Sequence, residues 1–341
     1  MAEKQVIQHK RHPLEEVVPL EAPYIVYIDP CGACNFKCNF CPCNTSDFMV
    51  KERHKVMDLA LFHKIVDNLK EFPQKVRVVY LFAFGEPLLN KNIVEMIRCL
   101  RESQVCDEIR MYTNGALLNP ELNSALADSG IDLIRISVNA LDGDAYKELC
   151  GVTVDYSKFY QNLQDLYQKT REKAKLAIKL VNATIKEQSQ LKQFHEMYAP
   201  ISDYIFMEDI FDGWPEFEDV VIPEGVLKSS NWDWRNAGHS ICTYSLTTMT
   251  IHSNGWVSPC CADWKFGAVY GDVNHSTVKE IWNSKELRQM QLAHLKKTKG
   301  IYPICDTCTM RTVDSIDAAA DIVIKRLESL DDRKQPGGSE Q

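Results

Sequence analysis

Between residue 24 and about residue 211, short apolar runs alternate with segments whose apolar residues recur every three or four positions. That is the pattern of repeated βα units around a parallel sheet. Residues 24–28 (Tyr-Ile-Val-Tyr-Ile) read as a first strand, and Leu59, Leu61, Phe62, Ile65, Val66 and Leu69 then fall on one helix face. Residues 76–84 form an apolar run of the kind buried on both faces, followed by a helix stripe of Ile93, Met96, Ile97 and Leu100. Residues 109–113 are strand-like, and Leu122, Ala125 and Leu126 mark a helix that Gly130 ends. Residues 133–138 give a further strand before a helix carrying Tyr156, Phe159, Tyr160, Leu163 and Leu166. Residues 176–181 and 204–207 bring the strands to six. Six βα units fall short of the eight that close a TIM barrel. The pattern therefore predicts an α/β fold, a partial (β/α)6 barrel with its chemistry at the C-terminal ends of the strands.

The periodicity divides the chain into a polar N-terminal extension (residues 1–22), the barrel (23–211) and an aromatic connection containing Pro and Trp (212–238). A small cysteine-rich domain (239–315) and a C-terminal helix with a disordered tail (316–341) complete it. The N-terminus has no apolar h-region, and no stretch reaches the roughly 18 uninterrupted apolar residues of a membrane helix. A cytoplasmic protein without a membrane partner is expected. The formal charge of −8, with no long basic run, argues against nucleic acid. Thirteen cysteines in a reducing compartment call for metal or cluster ligation in place of disulfides.

Cys34, Cys38 and Cys41 stand at C-x3-C-x2-C directly after the first strand. Three thiolates on one loop bind three irons of a [4Fe–4S] cube and leave the fourth iron open for chemistry. Half of a zinc site is the competing reading, although zinc normally takes four ligands in paired spacing. With Phe40 just before the last cysteine, the segment resembles the signature of the radical S-adenosylmethionine (SAM) superfamily. The resemblance runs from about residue 24 to residue 311. It implies a reduced cluster that binds SAM at its unique iron and releases a 5′-deoxyadenosyl radical, with the protein supplying position and shielding. Cys31 and Cys43 lie outside the spacing and read as packed thiols.

Gly85, Glu86 and Pro87 follow the second strand and resemble the family's Gly-Gly-Glu-Pro motif, with Phe84 at the first glycine position. The resemblance implies that Gly85 allows close backbone approach and that Glu86 pairs with the ammonium of SAM. Asn114, in Thr-Asn-Gly at the end of the third strand, matches a tripeptide common in the family; it is equally a good turn. On the fourth strand Arg135, Ser137 and Asn139 alternate with apolar residues and share one face. By resemblance Ser137 and Asn139 reach SAM; a structural hydrogen-bond network is the alternative.

Cys242, Cys260, Cys305 and Cys308 are separated by seventeen, forty-four and two residues. Four thiolates complete a [4Fe–4S] cluster and leave no iron free, which suits electron transfer; a structural zinc ribbon is the competing reading. Residues 255–260, 271–273 and 281–284 resemble the SPASM/twitch extension of radical SAM enzymes, in its one-cluster twitch form. Cys261 adjoins Cys260 and competes with it for the ligand role.

The resemblance thus implies two [4Fe–4S] clusters, SAM, and an electron donor such as flavodoxin or ferredoxin. The spacing is similar to that of 2-deoxy-scyllo-inosamine dehydrogenase-type twitch enzymes. Oxidation of a carbohydrate or cyclitol alcohol is the favoured reaction, with the auxiliary cluster accepting the electron. About twenty residues precede the first strand, fewer than the roughly hundred of a peptide-recognition domain, which favours a small polar substrate. The alternatives are sugar epimerisation with Cys150 or Cys261 as hydrogen donor, modification of a ribosomal peptide, and a non-catalytic zinc protein.

Overall fold

The computed structural model describes residues 13–44, 54–210, 224–228, 240–308 and 315–332. The chain begins with a helical turn, α1 (Leu14–Val17). It continues through β1 (Ile25–Ile28), α2 (Leu59–Leu69), β2 (Val76–Leu81), α3 (Ile93–Ser103), β3 (Cys106–Thr113) and α4 (Pro120–Ala127). Next come β4 (Leu133–Val138), α5 (Gly143–Cys150), α6 (Tyr156–Thr170), β5 (Lys175–Val181), α7 (Gln188–Tyr198) and β6 (Tyr204–Glu208). These six strands pair parallel and in sequence order, the open partial barrel that the alternating pattern predicts. The helices form as their stripes require. Asp58 caps α2 by accepting from the Leu61 amide at 2.7 Å. Phe62, Ile65, Val66 and Leu69 of α2 are buried, as are Ile93, Met96, Ile97 and Leu100 of α3. Each such side chain contributes about 1.5–3 kcal/mol through burial.

Two strand limits differ from the apolar pattern. β3 starts at Cys106, ahead of the expected residue 109, because Cys106 pairs with Val76 and is buried. Asp107 and Glu108 hide this start in the sequence; Glu108 is held by Arg110 at 2.8 Å. β2 leaves the ladder after Leu81, and residues 82–84 turn towards the cysteine loop.

The larger difference lies in the C-terminal part. After α8 (Tyr244–Thr247) come β7 (Thr248–Ile251), β8 (Trp256–Ser258) and β9 (Gly271–Asp272). β7 pairs parallel with β1, and β8 and β9 continue antiparallel, so the cysteine-rich part extends one nine-stranded sheet. β7 covers the edge of β1 that the barrel leaves open, which satisfies a row of backbone groups. α9 (Val278–Trp282), α10 (Lys285–Leu295), α11 (Pro303–Asp306) and α12 (Ala320–Asp332) follow. Leu14 and Val18, from the stretch expected to be a polar extension, are buried against Ile241, Leu295, Val323 and Leu327. Arg326 of α12 donates to the carbonyls of Glu15 and Val18. Apart from residues 224–228, the expected connection lies outside the described residues, as does the expected tail from residue 335 onward. Among the described residues, no helix is long and apolar enough to cross a membrane.

His294 on α10 is buried with neither ring nitrogen hydrogen-bonded to a described residue. Burial, assisted by Lys299, pushes its pKa from 6.5 down to about 4. The folded state therefore binds fewer protons than the unfolded chain between those values, and stability falls as the pH drops from about 6.5 towards 4. The expected loss from this group is up to about 3 kcal/mol. Urea unfolding at pH 7 and pH 4.5 checks it: His294→Phe should narrow the stability difference between the two pH values.

Candidate active site

The cysteine loop leaves β1 and is clamped from two sides. On one side lies Gly85, beyond β2. A Cβ there would sit 1.9 Å from the Cys31 carbonyl oxygen and 2.4 Å from that of Ala33, so only glycine allows this approach. The next amide, of Glu86, donates to the Ala33 carbonyl at 2.8 Å. Asn90, buried, donates to the carbonyls of Pro30 and Met57, each at 2.9 Å. On the other side, the amides of Lys37 and Asn39 donate to the carbonyls of Cys150 and Leu149 at 2.9 and 3.0 Å. Gly151 ends α5 at φ +65°, against Lys37.

Glu86 is buried, with both carboxylate oxygens engaged by the chain itself. Oε1 accepts from the Leu88 amide at 3.0 Å and the Thr113 hydroxyl at 2.5 Å, and Oε2 accepts from the Asn114 amide at 2.8 Å. Burial, partly offset by these donors, raises its pKa to about 7. Glu86 thus staples the ends of β2 and β3, and Pro87 opens the short turn it caps. Phe84, at the family's first glycine, stacks on His252 beyond β7, with centroids 5.7 Å apart, and its carbonyl accepts from the Cys43 thiol at 3.1 Å.

Two further residues expected at SAM face the cysteines. Asn114 donates to Asn35 at 2.7 Å and to the Cys34 sulfur at 3.9 Å. Asn139 donates to the sulfurs of Cys38 at 3.7 Å and Cys150 at 3.3 Å. Both asparagines are buried; of the four polar residues expected at SAM, only Ser137 is half-buried, on the inner face of β4. Cys150 is buried at the end of α5 with its sulfur paired to Cys38, packed against the cysteine loop. Burial pushes the Cys34 thiol up to about 12. The Cys43 thiol, with Lys179 acting in the same sense, lowers the pKa of Cys41. Buried thiolates that repel one another are stabilised by iron, and the amide N–H groups aimed at Cys34 and Cys38 are the kind that tune iron–sulfur clusters. The donor set fits a [4Fe–4S] cube held by Cys34, Cys38 and Cys41.

The second set gathers where β8 and α11 meet. Cys260 is coupled electrostatically to Cys261, Cys242 and Cys308, and Cys305 to Cys242 and Cys308. Cys260 and Cys261 part company here. Both couple to Cys308, but Cys260 neighbours Tyr270, whereas Cys261 also couples to Arg135 on β4 and Tyr27 on β1. Their turn is fixed by Asp263, which accepts from Ser258 at 2.8 Å, Gly267 at 2.7 Å and Ala268 at 3.0 Å. His252 Nε2 meets the Ser258 hydroxyl at 2.8 Å. Among the described residues, no three His, Cys, Asp or Glu side chains converge tightly enough for a single metal ion. A cube takes one thiolate per iron and needs no such convergence, so four thiols in this arrangement fit a fully ligated cluster.

Aromatic side chains of β1, β3 and the end of β2 stack into a wall. Tyr27 stacks on Tyr80 at 5.0 Å, and Phe82 on Tyr112 at 4.5 Å. Lys179 on β5 pairs with Glu208 on β6 at 2.7 Å. The positioning groups Asn90, Asp263, Ser258 and His252 escape sequence reasoning because single polar residues in turns carry no periodic signal; Asp263, two residues after a Cys-Cys pair, was the one available hint.

Gly85→Ala should displace the cysteine loop and lower the iron retained after anaerobic reconstitution, read by iron analysis. Glu86→Gln sets an NH2 group against existing N–H or O–H donors. It should cost about 1–3 kcal/mol of stability in the absence of SAM, read by denaturant unfolding; unchanged stability would remove the staple.

Comparison with known proteins places this geometry. The radical SAM superfamily model matches residues 28–181, and the SPASM model, an iron–sulfur cluster-binding domain, matches residues 242–309. A tungsten-containing aldehyde ferredoxin oxidoreductase cofactor-modifying protein of Pyrococcus furiosus is 28% identical over 116 residues, 34% of this chain and 31% of that protein. A GTP 3′,8-cyclase of Chlorobaculum tepidum is 30% identical over 123 residues, 35% of this chain and 33% of that protein. The chain thus spans about a third of the length of these curated relatives. The crystal structure of BtrN in complex with AdoMet and 2-DOIA covers 87% of this chain and 98% of its own, at 18% identity and a TM-score of 0.56. Native anSMEcpe with bound AdoMet covers 91% and 99%, at 16% identity and a TM-score of 0.60. At such identities the likeness is one of fold. With both cysteine sets inside the matched segments, this chain belongs to the radical SAM superfamily and carries a C-terminal SPASM iron–sulfur cluster-binding domain.

Proposed function

We propose that this chain cleaves SAM reductively and takes hydrogen from a small polar substrate, with oxidation of a carbohydrate or cyclitol alcohol as the favoured outcome. The observation that carries the reading is that side chains of two neighbouring strands, β4 and β5, reach both cysteine sets, and the reading assigns the space between the sets, the lumen, to the substrate. Lys179 acts on Cys41 from one side, and Arg135 couples to Cys261 from the other. When bound, a cluster at Cys34, Cys38 and Cys41 with SAM supplies the 5′-deoxyadenosyl radical, and one at Cys242, Cys260, Cys305 and Cys308 supplies an electron acceptor.

The chain's own groups hold the substrate and move its proton. Tyr27, Tyr80, Phe82 and Tyr112 narrow the lumen and shield it from water. An alcohol that has lost a hydrogen atom from carbon must shed one electron and its hydroxyl proton to become a carbonyl. Glu208 is the carboxylate assigned to take that proton: burial opposes its charge, but Lys179 and Arg135 outweigh burial, lower its pKa and keep it ionised. Electrons enter from a donor such as flavodoxin or ferredoxin in the cytoplasm. Epimerisation is the second reading, supported by Cys261, whose electrostatic neighbours Arg135 and Tyr27 lie on the lumen side.

Anaerobic reconstitution should give about eight irons and eight sulfides per chain. Alanine at Cys34, Cys38 and Cys41 should remove about half of the iron and stop 5′-deoxyadenosine release under dithionite. Alanine at Cys305 and Cys308 should remove the other half and lower stability. Iron near four per chain with zinc filling the remainder would refute the second cluster. In deuterium oxide with the true substrate, oxidation gives a product lighter by one H2. A product of unchanged composition carrying deuterium at the reacting carbon, lost in Cys261→Ala, would favour epimerisation.

A further inference from the structure

Arg135 projects from the middle of β4 with its guanidinium carbon 3.4 Å from the centroid of the Tyr112 ring. It makes no hydrogen bond or ion pair with any described residue, and its Nε is buried without an acceptor. Arg110, on the neighbouring strand, shows what the fold does with an arginine it uses for itself. Arg110 donates to Glu108 at 2.8 and 2.5 Å and to the Tyr80 hydroxyl at 3.2 Å. Buried guanidinium donors are ordinarily satisfied, and one left open among the described residues points to an acceptor that these residues do not provide.

The surroundings define that acceptor. The carboxylate that feels Arg135 is Glu208, and Lys179 already pairs with it at 2.7 Å. Within the described trio of Arg135, Lys179 and Glu208, two cations thus face one carboxylate. Stacking on Tyr112 fixes the plane of the guanidinium, so its N–H fork is oriented before any ligand arrives. A fixed fork with an ammonium nearby suits a planar carboxylate or a phosphate, which accept bidentate hydrogen bonds; a neutral hydroxyl does not need it.

We infer that Arg135, assisted by Lys179, receives an oxyanion of the substrate, so that the substrate is a small polar molecule bearing a carboxylate or phosphate. The inference rests on the lumen between the two cysteine sets being the substrate site, as in the function proposed above. It replaces a neutral sugar or cyclitol with an acidic one. Arg135 then sets which carbon faces each cysteine set, by anchoring the far end of the molecule. It is a binding residue and does not itself accept a proton or an electron.

The test titrates the anaerobic holoenzyme with malonate and with pyrophosphate by calorimetry, beside Arg135→Gln, Arg135→Lys and Lys179→Gln, each checked for folding by thermal melting. At least one probe should saturate a single site in the wild type, and which one distinguishes carboxylate from phosphate. Arg135→Gln should weaken it about tenfold or more, and Arg135→Lys, which keeps the charge but not the fork, by less. Should Arg135→Gln fail to fold, Arg135→Lys and Lys179→Gln, each weakening the probe, carry the test. Three results overturn the inference: no saturable anion site in the wild type, equal affinity in the variants, or loss of SAM affinity with the anion site intact, which would assign Arg135 to SAM's own carboxylate. 5′-Deoxyadenosine release by the wild type reports separately on the radical reading. Release without an Arg135-dependent anion site sinks this inference alone, and an Arg135-dependent site without release sinks the radical reading alone.

Discussion

The contact on which the site depends is backbone against backbone: Gly85, just past β2, lies on the carbonyls of Cys31 and Ala33. No side chain fits between them, and the Glu86–Ala33 hydrogen bond locks the distance at 2.8 Å. The sheet thereby dictates where the cysteine loop lies, since β2 is held in register by β1 and β3. Glu86 carries the constraint one strand further, to Thr113 and Asn114. The C-terminus of α5 closes the other side through Lys37 and Asn39. Three thiols on a short loop are thus fixed by main-chain bonds, and the buried amides of Asn114 and Asn139 aim at two of the sulfurs.

The same sheet positions the second cysteine set. β7 adds to β1, and β8 folds back beside it, so residues more than two hundred positions from the first loop are carried on one rigid frame. Phe84 stacked on His252, with His252 joined through Ser258 to Asp263, links the turn after β2 to the turn bearing Cys260. A phenylalanine where relatives place glycine acquires a physical reason here: its ring fills the seam between the barrel and the strands that extend it.

The strands that link the two sets carry an aromatic wall and a charged wall. The charged wall is uneven. Arg110 is absorbed by Glu108 and Tyr80, and Lys179 by Glu208, while Arg135 rests on Tyr112 without an acceptor among the described residues. In a setting of low dielectric such an imbalance is expensive in a purely structural role, and it gives the space between the cysteine sets a chemical preference.

The amino-acid sequence by itself determined the βα order, the six parallel strands and the two cysteine sets, because periodicity and short-range spacing are properties of neighbouring residues. C-x3-C-x2-C after a strand and the C-x2-C pair near the C-terminus stay legible whatever the rest of the chain does. Only the tertiary structure decided the rest, and each case turns on contacts between distant residues. β7 pairing with β1 depends on an edge that no local pattern reveals. Glu86, Asn114 and Asn139 are polar residues at strand ends, and whether such residues face a ligand or one another follows from how those ends converge. Cys150 and Cys261 are indistinguishable as letters, yet one packs against Cys38 and the other couples to Arg135 and Tyr27 across the sheet. Arg135 showed in sequence as a polar position on an alternating strand; that its Nε meets no acceptor among the described residues could be seen only once those neighbours were in place.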